Sequence, residues 1–281
     1  MKASALAPED GNADSAPEPS SAPEGSTGGI VGCAAVRPLV VLPTYNEALN
    51  IEEVLGKVRA AVPDAQILVV DDGSPDGTAD LAEELGRELG NVSVLRRPAK
   101  AGLGSAYRAG FREGIARGLD VMIEMDSDLS HDPAALPALL AAIDDGADLV
   151  IGSRYVPGGT IPNWRLHRRL LSRWGNRYAG FVLALPVRDA TAGYRAYRAE
   201  ALSKIDLDAV KADGYGFQIE MAYAVRRNGG RIVEVPISFK DRVRGTSKMS
   251  GKIVVEALAL VTWWGIRDRI LRRGQRPVTT S

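Results

Sequence analysis

The chain has 281 residues, of which 45% are hydrophobic and 25% are charged, a composition typical of a globular protein with a sizeable core. Lys and Arg together number 35, as do Asp and Glu, so the balanced charge predicts no nucleic-acid partner. Because Cys33 is the single cysteine, an internal disulfide framework is excluded and a reducing compartment is favoured.

Residues 1–34 are predicted to form a disordered tail. This segment is rich in Pro, Ala, Ser, Gly and acidic residues. Such a composition buries too little apolar surface to offset the entropy that is lost on ordering. The segment also lacks the apolar run of a secretory signal. Folded structure is therefore expected to begin near Ala34.

From there, apolar strands alternate with amphipathic helices. The predicted strands lie in the segments VRPLVVLPTYNE, QILVVDDGSPDGT, VSVLRR, LDVMIEMD and ADLVIGSR. The predicted helices cover residues 48–61, 79–89, 104–117 and 133–144. This alternation indicates an α/β fold with a parallel sheet that is covered on both faces. Ligands of such sheets bind beyond the carboxyl ends of the strands, where the polar clusters of this chain fall.

The fourth strand ends in an acidic cluster. An EF-hand is excluded, because it would need Gly where His131 stands. Asp132 is expected to be the N-cap of the following helix. Asp126 and Asp128 are two residues apart and can share one divalent cation, with Mg²⁺ or Mn²⁺ holding substrate phosphates. Structural capping is the alternative for these two acids.

The second strand ends in the adjacent acids Asp71 and Asp72. Turn formation is one reading of this segment, and hydrogen bonding to a ribose or a base is the other. Further along, Gly102 and Gly104 match a dinucleotide fingerprint only weakly, since its third glycine is misplaced. With Lys100, however, this turn before a helix can receive a diphosphate.

Taken together, the strand-end segments resemble those of nucleotide-sugar glycosyltransferases of the GT-A fold, inverting family 2. The matching segments are VVLPTYNE (40–47), VVDDGSPDGT (69–78), KAGLGSA (100–106) and MDSDLSHDP (125–133). Four later segments resemble dolichyl- or polyprenyl-phosphate mannosyltransferases. They are IGSRYVPGG (151–159), DATAGYRAYR (189–198), GYGFQIEM (214–221) and VPISFKDRVRGTSKM (235–249).

The resemblance implies a Rossmann-like, mostly parallel central sheet with helices on both faces, in a GT-A catalytic domain over residues 35–250. A C-terminal amphipathic helix and tail are expected at residues 251–281. The implied reaction is the inverting transfer of mannose from GDP-mannose to a polyprenyl (dolichyl-type) phosphate, with Mg²⁺ or Mn²⁺ as cofactor. The alternatives are a UDP-glucose-dependent enzyme with the same acceptor and a non-catalytic module that binds nucleotide sugars or membranes.

The resemblance also implies site residues. Those at the nucleotide are Pro43, Tyr45, Glu47, Asp71, Asp72, Lys100 and Asp126. The metal ligands are Asp126, Asp128 and Ser130, the last standing where some relatives carry Gln. The residues at the sugar and acceptor are Asp189, Gln218 and Glu220, with an orienting role expected for Asp189. The implied catalytic residues are Asp128, Arg154, Arg244 and Lys248, because an acceptor that is already anionic needs cations rather than a base.

Two segments predict contact with a membrane surface. No acid occurs between Asp148 and Asp189, whereas seven arginines and two tryptophans do, and this pattern favours an interfacial helix that meets anionic lipids. A solvated basic face is the alternative. The apolar run at 253–266 is too short to span a bilayer comfortably. It is expected to lie at the cytoplasmic face of the membrane as a peripheral element, with packing on the domain or docking to a separate membrane subunit as alternatives.

Overall fold

The computed structural model describes residues 36–240 and 251–274. Its strands are β1 (Pro38–Thr44), β2 (Gln66–Asp71), β3 (Val92–Arg96), β4 (Val121–Glu124), β5 (Leu149–Ser153), β6 (Arg195–Arg198) and β7 (Ile232–Pro236). Its α-helices are α1 (Ile51–Ala61), α2 (Thr78–Leu89), α3 (Leu103–Ala116), α4 (Leu136–Asp144), α5 (Leu166–Leu183), α6 (Ala199–Ser203), α7 (Gly214–Arg227) and α8 (Gly251–Gly274). The tail predicted at 1–34 lies outside the described residues, as do Arg244 and Lys248.

The seven strands form one sheet in the order β3-β2-β1-β4-β6-β5-β7. All neighbouring pairs are parallel except those of β6, which runs antiparallel to both β4 and β5. Since β6 is reversed, the residues that precede it lie at the edge where its neighbours end. The predicted mostly parallel sheet is confirmed.

Side chains of β1 alternate between two apolar clusters, one on each face of the sheet. Val40 and Leu42 pack in the cluster that contains residues of α1 and α4, whereas Leu39 and Val41 pack in the cluster that contains residues of α3 and α7. All four are fully buried. This explains why the strands are nearly continuous apolar runs: both faces are covered.

Local hydrogen bonds explain where two helices begin. The carbonyl of Glu47 accepts the N–H groups of Asn50 and Ile51, so a turn precedes α1, which starts three residues after the predicted boundary at Ala48. Asp132 accepts the N–H of Ala134 at 3.0 Å, at the start of a 3₁₀ turn before α4. The predicted N-cap role of Asp132 is therefore confirmed.

Helices α5 and α8 pack on α7 through a third apolar cluster, to which Ala179, Tyr223 and Val261 belong. Their outer surfaces are unusual. Of the eleven large hydrophobic side chains that are exposed among the described residues, nine lie on these two helices. They are Leu166, Leu170, Leu171, Trp174, Phe181, Val255, Trp263, Ile266 and Ile270. In the part of the chain that the structure describes, no helix has the length and apolar character needed to cross a membrane.

Candidate active site

A cavity of about 310 Å³ lies at the carboxyl edge of the sheet. The loops after β1, β2 and β4 meet there because parallel strands end on the same side. The start of α7 closes one wall. The lining includes the predicted residues Pro43, Tyr45, Glu47, Asp72, Lys100, Asp126 and Asp128, and also Asp213 and Gly214.

The loop that carries Asp126 and Asp128 is held by several hydrogen bonds. The hydroxyl of Tyr107 donates to Asp126 Oδ1 at 3.1 Å, and the Asp126 N–H donates to Nδ1 of His131, also at 3.1 Å. Oδ1 of Asp128 accepts the N–H of Ser130 at 3.0 Å. The Ser130 hydroxyl is buried and has no hydrogen-bond partner in the structure. Asp126 and Asp128 line the cavity, whereas Ser130 does not.

Tyr107 sits in the core of the fold beneath this loop. Its ring stacks on Phe111 and Phe217, with 6.2 Å between ring centroids in each pair. Burial, and then the charge of Asp126, raises the pKa of the Tyr107 phenol well above its usual value. The phenol therefore stays protonated and donates to the carboxylate.

Gln218 and Glu124 form a buried pair below the same loop. The Gln218 amide donates to Glu124 Oε2 at 2.8 Å, and its side chain does not line the cavity. Burial raises the pKa of Glu124 to about 7. Glu220, two residues further along α7, accepts the N–H of Ala212 and also lies off the cavity wall. The structure therefore brings neither Gln218 nor Glu220 to the cavity, where the resemblance had implied a sugar contact.

The two acids after β2 have different surroundings. Asp72 lines the cavity, pairs with Arg97 at 3.0 Å and accepts the N–H of Ala101. Asp71 accepts hydrogen bonds from Thr44 and from the backbone and hydroxyl of Ser74. It does not reach the cavity lining, so its contacts match the turn alternative.

Asp213 occupies the amino end of α3. Its Oδ1 accepts the N–H of Gly104 at 2.8 Å. Gly102 has a φ of 92°, and a Cβ at this position would collide with the Asp213 carboxylate. The glycine at position 102 therefore lets the Asp213 carboxylate approach the backbone closely, and the Gly104 N–H, one of the free N–H groups at the start of α3, is already bonded. Lys100, beside this turn, lies over the Tyr45 ring at 4.2 Å from its centroid.

A second pocket, of about 70 Å³, lies between α5, α7 and α8. It is called the interhelical groove below. Most of its lining is apolar or small, namely Trp164, Leu171, Gly175, Ala179, Ile219, Val254, Ala257, Leu258 and Val261. The polar lining residues are Arg154, Arg168, Ser172, Thr191 and Tyr215.

The buried Arg154 is oriented by Asp189. Its Nε and Nη2 donate to the two carboxylate oxygens at 2.7 and 2.6 Å, and Nη2 also reaches the Thr191 hydroxyl at 2.9 Å. Burial opposes the charge, but the Asp189 carboxylate outweighs it and raises the pKa of Arg154. The hydrogen bonds of this guanidinium to described residues run from Nε and Nη2, and none runs from Nη1.

Aromatic contacts join the cavity to the groove. His131 stacks on Tyr194 at 4.9 Å and meets Phe239 edge-on at 5.6 Å. Phe239 in turn meets the ring of Trp164 at 5.8 Å. Trp164, one of the two tryptophans in the predicted interfacial segment, is buried under the Arg168 guanidinium, so it does not reach the outer surface. Trp174 is exposed, as expected.

A family model described as glycosyl transferase family 2 matches residues 39–206. The chain belongs to this family. It is 53% identical over 244 residues to polyprenol monophosphomannose synthase of Mycolicibacterium smegmatis, covering 85% of this chain and 92% of that protein. It is also 53% identical over 234 residues to undecaprenyl-phosphate mannosyltransferase of Micrococcus luteus, covering 83% and 96% of the two chains.

Solved glycosyltransferases share the fold. Glucosyl-3-phosphoglycerate synthase from Mycobacterium tuberculosis, in complex with phosphoglyceric acid, aligns with a TM-score of 0.62 and 22% identity over 81% of this chain and 79% of that one. The same enzyme with Mn²⁺, UDP-glucose and phosphoglyceric acid gives a TM-score of 0.61 and 21% identity, covering 83% and 80% of the chains. The glycosyltransferase described here therefore has the GT-A fold that the resemblance implied.

The sequence did not reveal several residues that shape this glycosyltransferase site. Tyr107 and Asn176 are internal to helices and belong to no quoted motif. Asp213 gave one weak signal, as an acid directly before the segment GYGFQIEM. For His131, the available signal was its place three residues after Asp128 in the acidic cluster.

Proposed function

We propose that the protein transfers mannose from GDP-mannose to a polyprenyl phosphate, with inversion at the anomeric carbon. The observation that carries the proposal is the interhelical groove. Its wall is apolar, and Arg154 and Arg168 are among its few polar lining residues. An isoprenoid chain with one phosphate has the same division between apolar length and anionic head. The names of the two relatives at 53% identity, polyprenol monophosphomannose synthase and undecaprenyl-phosphate mannosyltransferase, both combine mannose with a polyprenyl phosphate.

The donor is proposed to bind in the acidic cavity. Five carboxylates line its described wall, from Glu47, Asp72, Asp126, Asp128 and Asp213, against the single ammonium of Lys100. Arg97 balances one of them, Asp72. A diphosphate brings further negative charge, so its binding requires added cations.

Asp126 and Asp128 are proposed to hold Mg²⁺ or Mn²⁺ there, with Ser130 as a weaker third ligand. The Ser130 hydroxyl is an oxygen donor without a hydrogen-bond partner among the described residues, but it lies off the cavity lining; hard oxygen donors suit both ions. No cluster of three or more His, Cys, Asp or Glu side chains suited to a metal occurs among the described residues. Few protein ligands leave room for phosphate oxygens. A bound divalent cation stabilises the charge of a leaving diphosphate.

Arg154 is proposed to bind the acceptor phosphate through Nη1. Asp189 fixes the plane of the guanidinium, and Ser172 and Arg168 lie on the same groove wall. The acceptor phosphate is anionic at neutral pH, so it attacks the anomeric carbon without losing a proton to a base. Buried Asp189 is accordingly assigned an orienting role. What the protein must supply is charge compensation and alignment.

Arg244 and Lys248 are proposed to contact substrate phosphates, with Arg244 joining Arg154 at the acceptor phosphate, and so to add positive charge. They lie outside the described residues. The described chain approaches that segment beside the acidic loop, since the N–H of Lys240 donates to the Ser130 carbonyl at 3.2 Å.

The outer surface of α5 and α8 is proposed to rest on the cytoplasmic face of a membrane. Leu166, Leu170 and Trp174 recur every fourth residue along α5 and are exposed. Arg165, Arg169, Arg173 and Arg177 form a neighbouring row with the same spacing. An apolar row beside a basic row is the pattern of a helix that lies in the plane of an anionic interface. A separate membrane subunit is the alternative occupant of this surface.

The test is transfer of labelled sugar into a product that partitions into organic solvent. Purified protein receives polyprenyl phosphate and either GDP-mannose or UDP-glucose, with and without Mg²⁺ or Mn²⁺. We expect metal-dependent label from GDP-mannose. Label from UDP-glucose alone would show that the donor assignment is wrong and the acceptor assignment is right. No label from either donor would refute the proposal.

A further inference from the structure

Asn176 is a buried amide in the middle of α5. Its side chain is 1% exposed, on the helix face that also buries Ala179 and Leu183. Asn is among the weaker helix formers, and burying an amide is unfavourable unless its hydrogen bonds are satisfied. An apolar residue would serve packing alone better. The polar side chain therefore needs an explanation.

The amide of Asn176 bonds to the loop before β6. Its Nδ2 lies 3.3 Å from Asp189 Oδ1 and 3.2 Å from the Thr191 hydroxyl, and it donates to the Ser172 carbonyl at 3.0 Å. Its Oδ1 accepts the Thr191 N–H at 3.0 Å. Both polar functions of the amide are thus used, and they tie α5 to residues 189–191.

The same two loop residues hold Arg154. Asp189 accepts its Nε and Nη2, and the Thr191 hydroxyl accepts Nη2 as well. Asn176 therefore contacts both residues that determine where the Arg154 guanidinium points. A displacement of α5 would reach Arg154 through these shared bonds.

We propose that Asn176 is a positioning residue for the acceptor: it fixes α5 relative to Arg154, so that the groove wall on α5 and the guanidinium face the same lipid phosphate. This inference rests on the proposed function. It explains why an amide, which both donates and accepts, stands at this position. It also connects the helix with the exposed apolar row to the arginine that receives the anionic head.

The first test is the variant pair Asn176→Ala and Asn176→Asp. We expect kcat/KM for polyprenyl phosphate to fall about tenfold in Asn176→Ala, while the KM for the sugar donor and Mn²⁺-dependent GDP affinity by calorimetry stay within about twofold. Asn176→Asp keeps the size but places a carboxylate against Asp189, so its loss should be larger. Asn228→Ala is the matched control, since Asn228 makes the same bond to a carbonyl four residues back at 3.0 Å and lies off the groove lining.

The second test asks whether Asn176 acts through Arg154. We expect Arg154→Lys, which keeps a cation opposite Asp189, to raise the KM for the acceptor. In that background, Asn176→Ala should change kcat/KM for the acceptor by less than about twofold. If the fold-loss in kcat/KM of the double variant equals the product of the two single-variant losses, the proposal is overturned. So would equal losses toward donor and acceptor, which indicate a general structural role.

Two results separate this inference from the proposed function. If Arg154→Lys impairs acceptor use and Asn176→Ala does not, the positioning role fails and the acceptor assignment stands. If Arg154→Lys leaves the acceptor KM unchanged, both fail together.

Discussion

The acidic cavity and the interhelical groove differ in the charge that each presents before a ligand binds. The cavity gathers carboxylates at the ends of strands, and it needs cations before an anionic ligand can enter. The groove gathers apolar side chains from three helices around an arginine that Asp189 already pairs. The cavity is incomplete without added positive charge, whereas the groove already carries Arg154 and Arg168 on its wall.

In the proposed reaction, the donor and the acceptor therefore require different things of the protein. On the donor side, the charge that develops on the leaving group must be compensated at a fixed point. On the acceptor side, a long apolar molecule must be held with one charged end in line. Substitutions in the two pockets should therefore separate: those in the cavity should affect metal and nucleotide, and those in the groove should affect the lipid.

The largest effect is expected from Asp128→Asn. The amide oxygen can still accept the Ser130 N–H, so thermal unfolding should change little, while loss of the charge should lower transfer about a thousandfold. The measurement is labelled mannose transfer with and without Mn²⁺. Asp132→Asn is the control, because Asn caps a helix about as well as Asp. Retention of more than about a tenth of the activity in Asp128→Asn would contradict the metal assignment.

The next largest effect is expected from Gly175→Leu, which should impair use of the lipid acceptor without affecting the nucleotide. A Cβ at Gly175 meets no atom within 4 Å, so the larger side chain extends into the groove without displacing the backbone. We expect kcat/KM for a long-chain polyprenyl phosphate to fall about ten- to hundredfold, with GDP affinity unchanged. Gly56→Leu is the matched control, since Gly56 is also internal to a helix with open space beside it. Equal activity of the two variants would show that the groove does not hold the lipid.

Tyr107→Phe should have a smaller effect at the cavity than Asp128→Asn. The ring can keep its stacking, but Asp126 loses a hydrogen bond, and such losses next to a metal ligand typically lower metal affinity about tenfold. The readout is Mn²⁺ binding in the presence of GDP, followed by electron paramagnetic resonance. Tyr178→Phe, which loses a hydroxyl contact with Thr262 between α5 and α8, should leave Mn²⁺ binding unchanged. Equal Mn²⁺ affinity in Tyr107→Phe and the unmodified protein would refute a role for the phenol.

The smallest effect is expected at the outer surface. Trp174→Ser should weaken binding to vesicles containing phosphatidylglycerol about three- to tenfold, and added salt should weaken it further through the arginine row. Sedimentation of protein with vesicles measures both effects. Leu49→Ser removes another exposed hydrophobic side chain away from α5 and α8, and should not matter. Identical losses at both positions would mean that the surface has no specific contact.

The sequence was most informative where a site residue lies beside the strand that positions it. Asp72, Asp126 and Asp128 follow apolar runs directly, and all three line the cavity. It was less informative where neighbours in the chain point in different directions. Asp71 and Asp72 are adjacent, yet one closes a turn and the other faces the cavity. Gln218 lies in a distinctive segment, but its burial against Glu124 depends on a contact with β4.

The groove was the least predictable part, because its lining comes from residues 154 to 261 and depends on how three helices pack. The reversal of β6 was also hidden, since a four-residue strand carries too short a pattern to reveal its direction. The arginine-rich composition of residues 149–188, the segments that carry Arg154 and Asp189, and the apolar run at 253–266 pointed to this side of the molecule.

The reversal of β6 has a structural corollary. Strands β5 and β6 are antiparallel neighbours, and the N–H of Gly152 bonds to the carbonyl of Tyr194 at 2.8 Å. Residues 154–194 therefore form a long insertion between two neighbouring strands, and its two ends lie next to each other. For a flexible loop whose ends are held together, each doubling of the length raises the entropic cost of closure by only about 0.6 kcal/mol. If α5 holds the acceptor as proposed, replacing residues 154–194 by a different segment should change the acceptor and leave the donor cavity intact.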